Sequence, residues 1–212
     1  MPVYPAVVGG EPVLMPSISR AVTTSTGWPR LPRPERKALI LTAATSAFAI
    51  GGYTGTSMAD ISRAAGVSHL IVYTHFDSKE NLYDAVLRSA RENLERALTS
   101  PGSIGKFGPT TATVLSAARA GEDAFRVLWW HAPREPAFSY HADAARNRLE
   151  AASREALGPI EHVAWASRAT ISYVVQAVLV WVEDGDEKLD HRFVMATEAA
   201  LKAGVRSWSK SG

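Results

Sequence analysis

Apolar residues between positions 35 and 50 recur at spacings of three and four, which is the period of an amphipathic helix. The members of this stripe are Ile40, Ala44, Ala47 and Phe48. Gly51 and Gly52 follow, and glycine adopts the backbone angles of a helix terminus at the least steric cost. The pattern predicts a first helix that begins at Glu35 and ends at this glycine pair.

Two short helices joined by a tight turn are predicted next. Ser57 is placed to cap the second helix, and Asp60 is placed to reach back as its capping-box partner. Gly66 ends this helix after scarcely two turns, and Ser68 is placed as the N-cap of the third.

The same periodicity divides the two short helices into a buried and an outer face. The residues assigned to the buried crossing are Ile61, Ala65, Val67, Val72 and Phe76. The outer positions are then His69, Leu70, Tyr73 and Thr74 on the third helix, with Thr56 and Ser57 at the start of the second. A helix fits the major groove of DNA, and its N-terminal side chains reach base edges, so the third helix is a candidate DNA reader.

The remainder of the chain also carries helical periodicity. A longer helix is predicted from Asp77 to about Thr99, and a connector rich in glycine and proline follows. Further helices are predicted at about 110–120, 121–132, 136–157, 159–183 and 187–208, and no strand pattern or internal repeat is found. The expected fold class is all-α.

Composition narrows the protein class. Hydrophobic residues make up 46% and charged residues 21% of the chain, which excludes global disorder. The absence of cysteine excludes disulfides and thiolate metal sites, and we expect a cytoplasmic protein that is neither secreted nor transmembrane. Residues 1–34 contain seven prolines and are expected to form a flexible arm. The net charge is only +2, but basic residues are in excess between Arg30 and Phe76.

Motifs of enzyme chemistry are missing. The segment from Ser100 to Phe107 is similar to a phosphate-binding loop, but it lacks the first glycine and the final hydroxyl residue, and it follows a helix instead of a strand. The histidines show no metal-ligand spacing, and no Gly-x-Ser-x-Gly motif occurs. We therefore expect no enzyme activity, cofactor or metal.

The region from residue 35 to 83 resembles the DNA-binding module of the tetracycline-repressor (TetR) family of regulators. The resemblance is carried by Gly52-Tyr53, Thr56-Ser57, Asp60-Ile61, Ala65-Gly66-Val67-Ser68, Tyr73, His75-Phe76 and Ser78-Lys79-Glu80 with Leu82. It implies a homodimer with a three-helix helix-turn-helix DNA-binding domain at 35–83. It also implies a helical ligand-binding and dimerisation domain at 84–212, and a double-stranded DNA operator and a small-molecule effector as partners.

The resemblance also assigns roles to residues. Ser57 would cap the second helix and donate to a phosphate, while Tyr73, His75 and Lys79 would hold the DNA backbone. Ser68, the predicted N-cap of the third helix, is also a candidate DNA-binding residue, and the base-facing positions are His69, Leu70 and Thr74. Leu70 and Ile71 depart from the family pattern, which indicates either contact with a thymine methyl or extra packing under the helix. Tyr73 is also compatible with an ordinary packed aromatic, His75 with a satisfied histidine and Lys79 with a solvated charge.

The second half is rich in large aromatic residues, most of which are expected in the core. A subset is predicted to line an effector cavity together with polar side chains. The candidate ligand-binding residues are Phe125, Trp129, Trp130, Tyr140, Trp165, Tyr173, Gln176 and Trp181. Trp129 and Trp130 are adjacent, so both cannot point into the same core. Other polar candidates are His131, His141 and Arg168.

The last two helices carry more apolar surface than one face of a monomer helix requires, and packing against a second copy in a four-helix interface would bury it. A simple internal core remains the alternative. The function that we predict is a DNA-binding transcriptional regulator, a repressor released from its operator by a small, largely apolar or aromatic effector. The alternative is an all-helical small-molecule carrier or enzyme that does not bind DNA.

Overall fold

The computed structural model describes residues 32–209, with side chains as far as residue 204. Helices dominate this part of the chain, as expected for an all-α fold. They are α1 (Arg33–Gly51), α2 (Met58–Ala64), α3 (His69–His75), α4 (Lys79–Leu98), α5 (Thr111–Arg119), α6 (Glu122–Arg126), α7 (Ser139–Leu157), α8 (Val163–Asp184) and α9 (Asp190–Ser209). Residues 1–31 of the predicted arm lie outside the described residues.

Helix α1 has the predicted buried face but begins earlier than predicted. Ile40, Ala44 and Phe48 are fully buried, whereas Ala47 is only partly buried. The helix begins at Arg33, two residues before the predicted start at Glu35; Pro34 fits the first turn, where its missing N–H has no helical partner. The helix ends at Gly51, and Gly52 follows with a φ of 65°, a left-handed conformation that favours glycine.

The predicted caps of α2 and α3 are confirmed. The Ser57 side chain accepts from the backbone N–H of Asp60, and the Asp60 side chain accepts from the backbone N–H of Ser57, which completes the capping box. Gly66 adopts a φ of 63° in the turn, and the Ser68 side chain accepts from the backbone N–H of Ile71. The two helices therefore leave the turn in the order and with the lengths that the sequence predicted.

The connector after α4 contains a short antiparallel hairpin, so the prediction that no strand occurs is wrong. Strand β1 (Ile104–Gly105) pairs with β2 (Gly108–Pro109). Two residues per strand are too few to show an alternating pattern. Gly108 has a φ of 108°, and a Cβ at this position would lie 2.5 Å from Cα of Ser153 on α7, so the hairpin packs closely against that helix.

The helices of the second half differ from prediction mainly at their starts. The predicted helix at 121–132 divides into α6, a π-helical turn (Val127–His131) and a 3-10 turn (Ala132–Arg134). The predicted start at residue 159 moves to Val163, because His162 takes a left-handed conformation with a φ of 53°. Both differences lie where a local backbone conformation interrupts an otherwise helical apolar pattern.

The core connects both halves of the described chain. Helix α4 packs against α1 on one side and against α5 and α7 on the other, and α8 packs against α5 and α7. By length and composition alone α8 could also cross a membrane, but one such helix is weak evidence, because a core helix passes the same test. Its buried residues, Ile171, Val174 and Val178 among them, belong to the same core as those of α4.

Candidate DNA-binding interface

Helix α3 turns one face inward and presents the opposite face to solvent. Val72 is fully buried, and Ile71 is partly buried against the core. Leu70 is 77% exposed, so the apolar pair is divided: Ile71 packs under the helix, and Leu70 projects outward. The predicted outer positions His69, Tyr73 and Thr74 are exposed as well.

The exposed side chains of α3 are ordered by contacts along the helix. The rings of His69 and Tyr73, one turn apart, meet edge to face with centroids 4.9 Å apart. The Thr74 hydroxyl donates to the backbone carbonyl of Leu70 at 2.8 Å, which leaves its lone pairs available as acceptors. The face thus combines an imidazole, a phenol and a hydroxyl around one large apolar side chain, and these are groups suited to reading base edges.

The loop between α1 and α2 is held by Lys79, the first residue of α4. Its Nζ donates to the carbonyl oxygens of Tyr53 at 2.8 Å and of Thr56 at 3.0 Å, and it lies 4.2 Å from the centre of the Tyr53 ring. Thr56, which the helical pattern placed on the outer face, is buried, and its hydroxyl donates to the Ala47 carbonyl. Lys79 therefore fastens the start of α2 to α4 from inside.

Tyr53 and Glu80 complete this fastening. The Tyr53 hydroxyl donates to the Glu80 carboxylate. Burial, followed by this bond, raises the pKa of Tyr53 to about 12, and the same bond lowers the pKa of Glu80 to about 2. Tyr53 also packs against Phe138, with ring centroids 5.0 Å apart, so the loop contacts the second half of the chain.

The hydroxyl of Ser57 is already engaged at the start of α2. It donates to Asp60 Oδ2 at 2.5 Å, and this bond, followed by the backbone bond from Ser57, lowers the pKa of Asp60. A phosphate in contact with Ser57 would lie beside an ionised carboxylate. Ser57 therefore has a clear capping role, whereas its predicted donation to a phosphate would require it to leave Asp60.

A cluster of cations that the residue-by-residue assignment missed faces the end of α3. Arg33, Arg36 and Lys37 on the first turns of α1 act on His75, and burial, followed by these positive charges, lowers the pKa of His75. The Lys37 ammonium lies 5.5 Å from the centre of the Phe76 ring. The basic excess between Arg30 and Phe76 was the sequence signal for this cluster, which we call the α1 cation cluster.

Two further contacts join α1 and the glycine pair after it to the second half of the chain. His131 Nε2, on the π-helical turn, lies 3.0 Å from the carbonyl oxygen of Ala49, and a Cβ on Gly52 would meet His131 Nδ1 at 2.9 Å. The Ser46 hydroxyl donates to Asp123 Oδ2 at 2.6 Å. His131, predicted as a possible ligand contact, therefore has a structural partner at the end of α1.

The eight predicted ligand-binding residues do not line one cavity. Phe125 and Trp129 are buried in the core, with ring centroids 6.1 Å apart. Trp130 is exposed beneath Arg134, as expected from its adjacency to Trp129, and the Tyr140 hydroxyl donates to Asp84. The other four residues lie along α8 and line two grooves; they are Trp165, Tyr173, Gln176 and Trp181.

The two grooves lie between α8 and α9 and share Tyr173. The larger, of about 460 Å³, is lined by Gln176 and Trp181 and by Phe193 of α9. The smaller, of about 280 Å³, is apolar and includes Trp165 and Leu201. Trp181 is also a structural residue, because its ring stacks on Phe193 at 4.8 Å and its indole N–H donates to Asp190 at 2.6 Å.

Comparison with known proteins identifies the first helices. Residues 40–86 match the family described as bacterial regulatory proteins, tetR family. The N-terminal helices form a tetR-family domain. The matched residues run from the buried face of α1 through α2 and α3 into α4, which is the segment that carries the exposed face described above.

Curated relatives match about a third of the chain. The chain is 46% identical over 65 residues to the HTH-type transcriptional activator FasR of Mycolicibacterium smegmatis, which covers 31% of this chain and 30% of the relative. It is 43% identical over 68 residues to the HTH-type transcriptional repressor Rv3405c of Mycobacterium tuberculosis, which covers 32% and 36% respectively. The chain thus spans about a third of the length of these relatives.

The fold of the whole described chain is that of solved TetR-like regulators. A TetR-like transcriptional regulator from Rhodococcus sp. RHA1 superimposes with a TM-score of 0.67 over 84% of this chain and 99% of its own, at 22% identity. At this identity the likeness establishes the fold alone.

Proposed function

We propose that the protein is a cytoplasmic, DNA-binding transcriptional regulator and not an enzyme. The observation that carries the proposal is the exposed face of α3, where His69, Leu70, Tyr73 and Thr74 project from a helix whose other face is buried. The identity of the tetR-family domain to curated transcriptional regulators supports the same function. The competing hypothesis, an all-helical carrier or enzyme, gives no reason for such a face.

The residues divide by role at the DNA. His69, Leu70 and Thr74 face the bases, and the exposed Leu70 suits a thymine methyl group. Tyr73, His75 and Ser68 lie at the edges of this face and contact the backbone, together with the α1 cation cluster. Ser57 and Lys79 act indirectly, because one caps α2 and the other holds the loop before it. Phosphate contacts orient the helix, and base contacts select the sequence.

The second half, from residue 84 onwards, is proposed to bind the effector and a second copy. Exposed residues of α8 and α9 form a continuous face of aromatic and small side chains; these are Trp165, Ala169, Tyr173, Val180, Ala196, Ala199, Ala200 and Ala203. Burying such a face in a four-helix interface makes a homodimer, which matches two half-sites on DNA. An apolar or aromatic effector in the groove at Tyr173 and Trp181 would then act at the interface and release a repressor from its operator.

The deciding experiment is selection of bound fragments from random duplex DNA, followed by the same selection with His69→Ala and Thr74→Ala. We expect specific binding that weakens steeply with salt, because counterions are released, and a changed sequence preference in both variants. Each lost base contact should reduce discrimination at its position by about 1–3 kcal/mol. Leu39→Ala, an exposed position on α1, is the matched control and should leave the preference unchanged.

Two results would contradict the proposal. If the protein bound no duplex at low salt, the hypothesis that it is a DNA-binding regulator would be wrong. If both α3 variants kept the DNA sequence preference of the wild type, α3 would not be the recognition helix.

A further inference from the structure

A third cavity, of about 260 Å³, lies where the β1–β2 hairpin meets α5, α8 and α9, apart from the groove at Trp181. Its polar lining consists of Lys106 at the hairpin tip, Thr110 and Thr111 at the start of α5, Thr170 of α8, and Glu198 and Lys202 of α9. Phe107, Pro109 and Leu201 supply apolar surface. We call this cavity the hairpin pocket.

The hydroxyl of Thr111 is the first sign that the hairpin pocket binds a ligand. Thr111 is 0% exposed, and its Oγ1 has no hydrogen-bond partner in the described part of the chain. A buried hydroxyl without a partner costs about 1–3 kcal/mol, so such groups are nearly always satisfied. Thr111 lines the pocket, so rotation of its side chain towards the cavity would let a ligand there satisfy this hydroxyl.

The electrostatics of the pocket favour an anion. Thr110 and Thr111 are the N-cap and first residue of α5, a helix of nine residues, whose N-terminus carries the positive end of the helix dipole. Two lysines, Lys106 and Lys202, are among the lining residues, against the single acidic residue Glu198. Among the described residues, neither lysine has an ion-pair partner within 4.0 Å, so both charges are available to a ligand.

The hairpin that carries Lys106 is held rigidly in place. The Ser153 hydroxyl of α7 donates to the Phe107 carbonyl at 2.8 Å, and the Thr113 hydroxyl of α5 donates to the Ser103 carbonyl at 2.7 Å. The Thr110 backbone N–H also donates to Ser103 at 3.0 Å, and Gly108 permits the close approach to α7. A site assembled before the ligand arrives loses less entropy on binding.

We propose that the hairpin pocket binds a small organic carboxylate with a compact apolar body. The carboxylate lies at the start of α5, where it accepts from the Thr111 hydroxyl and pairs with Lys106 and Lys202, and the apolar body packs on Phe107, Pro109 and Leu201. The site does not depend on DNA binding, so its failure and the failure of the regulator hypothesis are separate results.

The test is calorimetric titration of the full chain, without DNA, with benzoate and hexanoate and with their neutral amides. We expect saturable binding of at least one carboxylate, and at least tenfold weaker binding of its amide, because the amide lacks the charge that the two lysines recognise. The same tenfold loss is expected for Lys106→Ala and for Thr111→Val.

The variants are chosen so that a folding defect is recognisable. Thr111→Val keeps the shape and removes a hydroxyl that has no partner in the chain, so the melting temperature without ligand should not fall. Lys188→Ala removes an exposed lysine elsewhere and should bind like the wild type. Absence of binding for both carboxylates, equal binding of acid and amide, or unchanged binding in both pocket variants would overturn the proposal.

Discussion

Lys79 would serve the proposed DNA binding without touching DNA. Two of the three ammonium donors point to carbonyl oxygens of the α1–α2 loop, and the charge lies over the Tyr53 ring. Hydrogen bonds to a charged group contribute about 1.5–3 kcal/mol each, so this residue has a structural value that a solvated lysine lacks. The resemblance assigned it to the DNA backbone, and its contacts indicate a positioning role instead.

We predict that Lys79→Ala lowers the free energy of unfolding by about 3 kcal/mol, because two charge-assisted hydrogen bonds, each worth at least about 1.5 kcal/mol, are lost. Affinity should fall alike for all duplexes, and the slope of affinity against salt should stay the same. Urea unfolding and DNA binding across a salt series measure both effects. Lys37→Ala is the matched control: we expect almost no loss of stability and a salt slope reduced by about one phosphate contact. If Lys79→Ala instead reduced the salt slope and left stability almost unchanged, Lys79 would be a phosphate contact.

At the scale of elements, α4 and α7 are tied by a buried polar group. His141 of α7 is 3% exposed, and its Nε2 lies 2.8 Å from Asp84 Oδ1 of α4. Burial alone would raise the pKa of Asp84, but hydrogen bonds from Tyr140, His141 and Arg88 outweigh it and lower the pKa to about 2. Since α4 also packs against α1, this tie lies between the tetR-family domain and the second half.

We predict that Asp84→Asn lowers the free energy of unfolding by about 1–3 kcal/mol at neutral pH, because His141 loses its charged partner. The folded pKa of Asp84 is below its unfolded value of 3.8, so the carboxylate stabilises the fold above that pH. The difference between wild type and variant should therefore narrow as the pH falls towards about 2. Urea unfolding at a series of pH values measures it. Asp143→Asn, on an exposed pair with Arg146, should change stability by less than about 0.5 kcal/mol; an equal loss there would contradict the argument.

The first three helices could be predicted because their capping and turn residues act on nearby backbone groups. Several features of the second half could not be predicted from the sequence. Ser57, Gly66 and Ser68 act on backbone groups no more than three residues away. Their roles can therefore be predicted from the local sequence. The hairpin at 104–109 depends on packing against α7, and Ser153 lies far from Gly108 in sequence. For the same reason the aromatic residues of the second half were identified as a set, but their division between core, surface and groove was not predicted.

At the scale of the whole molecule, the exposed face of α8 and α9 is the feature that a single copy leaves uncovered. Trp165, Tyr173 and Val180 are all exposed along α8, and Met195 on α9 is 72% exposed. Between them α9 presents small residues at 196, 199, 200 and 203, which permit close approach of a second helix pair. The grooves at Tyr173 open on this face, so a partner seated here would cover them as well.

We predict that Ala200→Glu converts the proposed dimer into monomers, because the substitution would bury a carboxylate without a partner in an apolar interface. Sedimentation velocity measures the change, and circular dichroism should show unaltered helix content. A monomer contacts one half-site at a time, so affinity for a duplex with two half-sites should fall at least a hundredfold, whereas affinity for a single half-site should hardly change. Ala151→Glu, at an exposed position on α7, is the control and should leave both properties as they are. If the Ala200 variant stays dimeric and binds DNA normally, the subunits associate through another face, and the grooves along α8 are open to solvent in the dimer.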